Sequence, residues 1–109
     1  MSKSSTTTER RFRRVTTHPG EVLREDFMAE LGLDAAALAA ALRVPKKSIM
    51  SLIRADAPAA LTPELALRLE AYFGVSAELW LGLQQGWDLT RARASRAADI
   101  KRVVRGRAA

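Results

Sequence analysis

The sequence predicts an all-α domain of five short helices, with one further helical stretch possible at its C-terminal end. Three observations predict it. Apolar residues recur at three- and four-residue spacings in each of five segments. Helix signals bracket those segments, with Asp34, Thr62-Pro63 and Ser76 at their heads and Gly32 and Gly74 at their ends. No segment alternates convincingly as a strand would. At 109 residues, 48% of them apolar, the chain suffices for one domain with a modest core.

The first helix runs from Pro19 to about Leu31. Glu21 and Glu25 suit its positive N-terminal end. Leu23, Phe27 and Leu31 repeat every four residues with Met28 beside them, and Gly32 stops the helix. His18 has no partner for catalysis in any motif and reads as the residue leading into the helix. Asp34 caps the second helix, because its side-chain oxygen can accept from an unpaired first-turn amide. Leu38 and Leu42 lie four apart on its inner face, and Ala39 is small where another helix crosses. The chain hinges at Arg43-Val44-Pro45. Pro45 suits the first position of the third helix, and Ile49, Leu52 and Ile53 give that helix its core face. Lys46, Lys47, Met50, Ser51 and Arg54 point elsewhere. This is the pattern of a helix-turn-helix, whose second helix enters the DNA major groove. A plain αα-hairpin has the same spacing, and spacing alone does not decide between them.

Ala55 to Leu61 is a loop without Lys or Arg. Thr62-Pro63-Glu64 opens the fourth helix, with Leu65, Leu69, Tyr72 and Phe73 as its buried stripe and Gly74 at its end. Ser76-Ala77-Glu78 opens the fifth, with Leu79 and Leu83 facing inward. Trp80 and Trp87, seven apart, share a face and read as core packing. Gly86 is expected to break or bend the chain. Beyond it, Leu89 to Val104 reads as a further helix with Ala97, Ile100 and Val104 on one face. Such a helix is marginal alone and needs a sister subunit, a partner protein or the domain itself to pack on; the alternative is a frayed basic tail.

Charge divides the chain into three regions. Residues 1–17 form a Ser/Thr-rich and then arginine-rich tail (Arg10, Arg11, Arg13, Arg14) expected to be disordered, either simply solvated or reaching a minor groove. Residues 18–90 form the folded domain, and residues 91–109 a basic helix or tail. The net charge of +6 splits as +4 over residues 1–18, −4 over 19–90 and +6 over 91–109. The folded middle is therefore acidic, with one exception. Between Ala35 and Ala55 the only charges are Arg43, Lys46, Lys47 and Arg54. A purely positive window on an acidic domain attracts phosphate locally without making the whole surface adhesive.

The absence of cysteine excludes disulfides and thiolate metal sites, and a single histidine argues against a His-based metal site or triad. The expectation is no enzyme, no catalytic residues, no metal and no cofactor, since no nucleophile–base pair or phosphate-cradling glycine loop is present. No apolar run approaches the roughly 18 residues of a membrane span. Residues 2–14 are too polar for a signal peptide, so a cytoplasmic protein with no membrane partner is expected. If the hairpin binds DNA, Lys46, Lys47, Met50 and Ser51 face base edges. Lysine donates to guanine O6 and N7, serine to several bases, and methionine contacts a thymine methyl. Arg43 and Arg54, at the ends of the helix, are placed for phosphates. A dimer presents two such helices about 34 Å apart, and hence a palindromic site.

Four blocks carry a more specific signal. They are His18-Pro19-Gly20-Glu21-Val22-Leu23; Leu38-Ala39-x-Ala41-Leu42-x-Val44-Pro45; Leu61-Thr62-Pro63-Glu64-x-Ala66-Leu67-Arg68-Leu69; and Phe73-Gly74-Val75-Ser76-x-Glu78-Leu79-Trp80-Leu81-x-Leu83-Gln84. In this order and spacing they resemble the HigA antitoxins, Xre-type (λ-repressor-like) helix-turn-helix proteins of type II toxin–antitoxin modules. The resemblance spans about residues 18–90. It implies a five-helix domain, usually a homodimer, binding a palindromic operator in the module's own promoter. It also implies a small RNase toxin of the HigB type, neutralised by direct contact. Two features depart from the family pattern. Family members usually carry Gly where Arg43 stands, so either Arg43 takes a left-handed φ or the turn differs. They also commonly carry Gly or basic residues in the loop that here reads Ala55-Asp56-Ala57-Pro58-Ala59-Ala60. Two alternatives stay open: a stand-alone Xre-type regulator, and a protein-interaction module with weakened DNA binding that uses the Trp80/Trp87 region and the C-terminal segment.

Overall fold

Five helices account for most of residues 17–107, the part of the chain that the computed structural model describes. The arginine-rich stretch expected to form a tail lies outside the described residues. Helix α1 opens as Pro19–Val22, passes through a π-helical stretch Leu23–Met28 and closes as Ala29–Leu31. Gly32 ends it in the left-handed region. A π turn closes its hydrogen bonds over five residues instead of four, so a four-residue apolar repeat drifts out of phase. Leu23 and Met28, five apart, are buried, while Leu31 is 60% exposed, contrary to the expected stripe.

Helix α2 (Ala35–Leu42) is capped by Asp34, whose Oδ1 accepts the Ala37 amide at 2.8 Å. Leu38, Ala39 and Leu42 are buried. Helix α3 (Lys46–Leu52) starts one residue later than expected. Pro45 stands outside it as the N-cap with an extended ψ of 143°, because the chain is still changing direction there. Ile49 and Leu52 are buried and Ile53 half-buried.

Helix α4 (Pro63–Phe73) is capped by Thr62, whose Oγ1 accepts the Leu65 amide. Its innermost residues are Ala66 and Leu69. Tyr72, expected in the stripe, lies about 120° around the helix from Ala66 at 100° per residue, and it is exposed with its ring edge-on to Phe73. Helix α5 (Ala77–Val103) is capped by Ser76, and the Glu70 carboxylate of α4 accepts its Ala77 amide at 2.8 Å. Its buried face is Ala77, Trp80 and Gln84. Trp80 meets Phe27 at a tilt of 49°, with 5.2 Å between ring centres. Leu79 is on the opposite side and 57% exposed, which corrects the expectation that it faces inward.

Gly86 does not break the chain. An interior glycine costs a helix only about 1 kcal/mol, against about 3 for proline, and α5 runs through it for 27 residues. That is roughly 40 Å at 1.5 Å per residue. The fifth helix and the anticipated C-terminal helix are therefore one element, and residue 90 falls inside it. Residues from Asp88 to Val103 on this helix are all exposed. The core sits where α1, α2, α3, α4 and the first half of α5 meet, around Leu23, Leu38, Ile49, Leu52, Leu69 and Trp80. Among the described residues there is no strand and no group of side chains that could hold a metal ion, and no helix is long and apolar enough to cross a membrane.

Candidate nucleic-acid interface

The turn between α2 and α3 sets the direction of α3. Arg43 ends α2 at φ 60°, ψ 45°, the one non-glycine residue with positive φ among those described. Its amide bonds back to the Ala40 carbonyl at 3.3 Å, and the Val44 amide to the Ala39 carbonyl at 3.0 Å. These are the paired returns of a Schellman ending, which usually places glycine at this position. The turn thus keeps its shape with arginine in place, at the steric cost of a side chain in the left-handed region. Arg68 of α4 reaches across to this turn. Its Nη1 donates to the Leu42 carbonyl at 2.8 Å and to the Arg43 carbonyl at 3.5 Å, filling acceptors that the end of α2 leaves open. Glu64 holds the same guanidinium from one turn earlier on α4.

The other end of α3 is fixed by α1 and by the following loop. A Cβ on Gly20 would lie 1.9 Å from the Leu52 carbonyl oxygen, so only glycine lets the start of α1 lie over the end of α3. Arg24 of α1 donates to the Ile53 carbonyl. The Ala59 amide donates to the Ser51 carbonyl at 2.9 Å, folding the loop back onto α3. Gln84 of α5 then accepts the Leu61 amide at 2.8 Å while its own amide donates to Asp88.

His18 closes this junction. Its Nδ1 accepts the Gly20 amide at 2.9 Å, and its ring meets Trp87 edge-on at 5.4 Å. Burial pushes its pKa below the ordinary value, opposed by the Ala59 backbone and the Asp88 and Glu21 carboxylates. Nε2 is buried and makes no hydrogen bond of good geometry. Trp87, seven residues after the buried Trp80, is half-buried, with Arg91 over its ring at 5.4 Å.

Held at both ends, α3 presents Lys46, Lys47 and Met50 to solvent, and Arg54, two residues past its end, is exposed as well. Arg43, at the preceding turn, is exposed beside them. Among the described residues no carboxylate pairs with Arg43, Lys46 or Lys47. Two of the expected site residues stand differently from the rest. Ser51 is half-buried and lines a groove of about 290 Å³ with Ser48, Ala59, Ala60 and Glu64. Arg54 is forked onto the loop's only acid: Nε donates to Asp56 Oδ1 at 3.2 Å, and Nη2 to Oδ2 at 3.0 Å. The pair raises the arginine pKa and lowers the carboxyl's, chiefly through these hydrogen bonds.

Gly20, Arg68 and Gln84 stand in the blocks that resemble the family, but nothing in the sequence gives them or Arg24 a positioning role. Only Arg68 leaves a local trace there, as the i+4 partner of Glu64. Its contact with a turn 25 residues away is a tertiary fact.

An all-helical scaffold that fixes α3 at its surface with an outward cationic face defines a class, that of the helix-turn-helix proteins. No protein-family model matches the chain. Its relatives place it within the class. It is 44% identical over 75 residues to virulence-associated protein I of Dichelobacter nodosus, covering 69% of this chain and 68% of that protein. It is 32% identical over 84 residues to antitoxin HigA-1 of Vibrio cholerae, covering 77% of each. Among solved structures it is similar to the Pseudomonas aeruginosa antitoxin HigA with the higBA promoter, with a TM-score of 0.77 and 33% identity over 83% of this chain and 96% of that one. The chain belongs to the HigA-type family of Xre antitoxins.

Proposed function

We propose that this protein is a dimeric, operator-binding autorepressor and the antitoxin of a cytoplasmic toxin–antitoxin module, and that it neutralises a HigB-type RNase toxin by direct contact. The observation that carries the DNA half of this reading is the unpaired cationic face of α3 on an otherwise acidic domain. Arg43, Lys46 and Lys47 are exposed and free of carboxylate partners, and Met50 stands between them. The similar HigA structure with promoter DNA supports it. Lys46, Lys47 and Met50 then meet base edges, Arg43 meets a phosphate, and Ser51 reads a base only from the rim of the face.

The toxin and dimer parts rest on family membership and on the unpartnered half of α5. Lys47→Ala tests the site on the chain's own upstream DNA. Loss of a base contact weakens binding by about 1–3 kcal/mol and relaxes preference at one position. Equal affinity of wild type and variant for specific and scrambled duplexes removes Lys47 from the interface. Co-purification of the neighbouring gene's product tests the toxin part.

A further inference from the structure

Among the described residues, the Arg54–Asp56 fork is the one place where the positive face is cancelled by the chain itself. Arg54 follows Met50 by four residues and Lys47 by seven, which places it about 10 Å along the helix direction from Lys47. A major groove is about 12 Å wide, so with Lys47 over the bases Arg54 comes to the phosphates at the groove edge. The donors a phosphate would use there are Nε and Nη2, in the planar fork that suits two oxygens at once. Those same two donors are taken by Asp56. Both side chains are open to solvent, 56% and 76% exposed, so nothing buries the pair or shuts DNA out. The loop offers no replacement cation, since Ala55 to Leu61 contains none.

We propose that Asp56 sets the DNA affinity of this protein by acting as an internal phosphate mimic that keeps Arg54 off the backbone. Because the competitor is tethered two residues away, its effective concentration is high, and DNA must open the fork or forgo the contact. Arg54 touches backbone rather than bases, so the effect is the same on every sequence. The specificity ratio is left unchanged while overall affinity is lowered.

This inference rests on the DNA-binding reading above, and the experiment separates the two. Equilibrium anisotropy is measured with full-length protein on its own upstream duplex and on a scrambled one, from 50 to 200 mM salt. The proteins are wild type, Asp56→Asn, Arg54→Gln, the double variant and Lys47→Ala; circular dichroism checks that each is folded. Asp56→Asn is expected to tighten binding to both duplexes several-fold. Its log–log salt slope becomes steeper by about 0.9, one added phosphate contact, which is about 3- to 4-fold more affinity lost across that range. In the Arg54→Gln background the same change leaves the slope alone. A slope unchanged in Asp56→Asn overturns the inference. So does weaker binding, which would mean that Asp56 aims Arg54 at phosphate instead of withholding it. If Lys47→Ala weakens specific binding in those same experiments, the DNA reading stands without the gate. If no protein distinguishes the two duplexes, both fall together.

Discussion

His18 shows how one residue ties local and distant structure together. Its Nδ1 caps α1, and its ring sits in the junction that joins α1, the loop and α5. Capping through Nδ1 requires an unprotonated Nδ1, and burial lowers the pKa in the same direction. Because the folded value is depressed, the unfolded chain binds the extra proton first. Stability is therefore fully present above the ordinary value of 6.5 and is lost as pH falls below it towards the folded value. Thermal unfolding from pH 7.5 to 5 is expected to show a falling Tm in the wild type. The fall is shallower in His18→Asn, which keeps a capping oxygen without a titrating ring. Parallel curves would mean that other groups carry the pH dependence. At the same scale Arg43 fulfils one of the two outcomes that the missing glycine posed: the turn is kept and the arginine takes the left-handed φ.

At the scale of elements, α3 is positioned by contacts from α1, α4 and the loop, and Arg68 is the most direct of them. Arg68→Ala removes a charge-assisted bond to the Leu42 carbonyl and leaves that acceptor part-buried. The expected cost is about 1 kcal/mol, or a Tm lower by about 4–8 °C in a domain of this size. Specific DNA affinity should fall by more than affinity for scrambled DNA, because the helix is re-aimed while its charges remain. Equal losses on both duplexes would make Arg68 a stabilising residue only.

Helix starts were legible in the sequence because caps act within three residues: Asp34, Thr62 and Ser76 each bond the amide three positions on. Inward faces were less legible. Leu31 was misplaced by a π turn that no apolar pattern announces. Tyr72 and Leu79 were misplaced because the small Ala66 and the large Trp80, not the leucine spacing, decide which side of α4 and α5 goes inside. The cationic face of α3 was legible residue by residue, since a short helix with one apolar side leaves the other to solvent. The Arg54–Asp56 fork was not, because two neighbours in a loop pair only if the backbone turns them together.

For the molecule as a whole, the outlying feature is the exposed second half of α5. A helix of that length is marginal in water without packing, and Leu89, Ile100, Val103 and Val104 leave apolar surface along it. A second copy of the chain is the partner that the proposed dimer supplies. Ile100→Glu combined with Val103→Glu is expected to convert the dimer to monomer in size-exclusion chromatography with light scattering. Operator affinity should fall with it, because two linked recognition helices bind far better than one. A wild type that is itself monomeric, or a variant that stays dimeric, would place any dimer contact elsewhere.

The proposed function requires that α3 reads DNA sequence. It is tested most directly by titrating the full-length protein onto its own upstream duplex and onto a scrambled duplex of equal length near physiological salt. The native duplex is expected to bind tighter by 10³-fold or more, as sequence-specific proteins do. Equal binding to both, collapsing steeply with salt, would contradict it, because that behaviour needs only phosphate attraction to the basic ends of the chain.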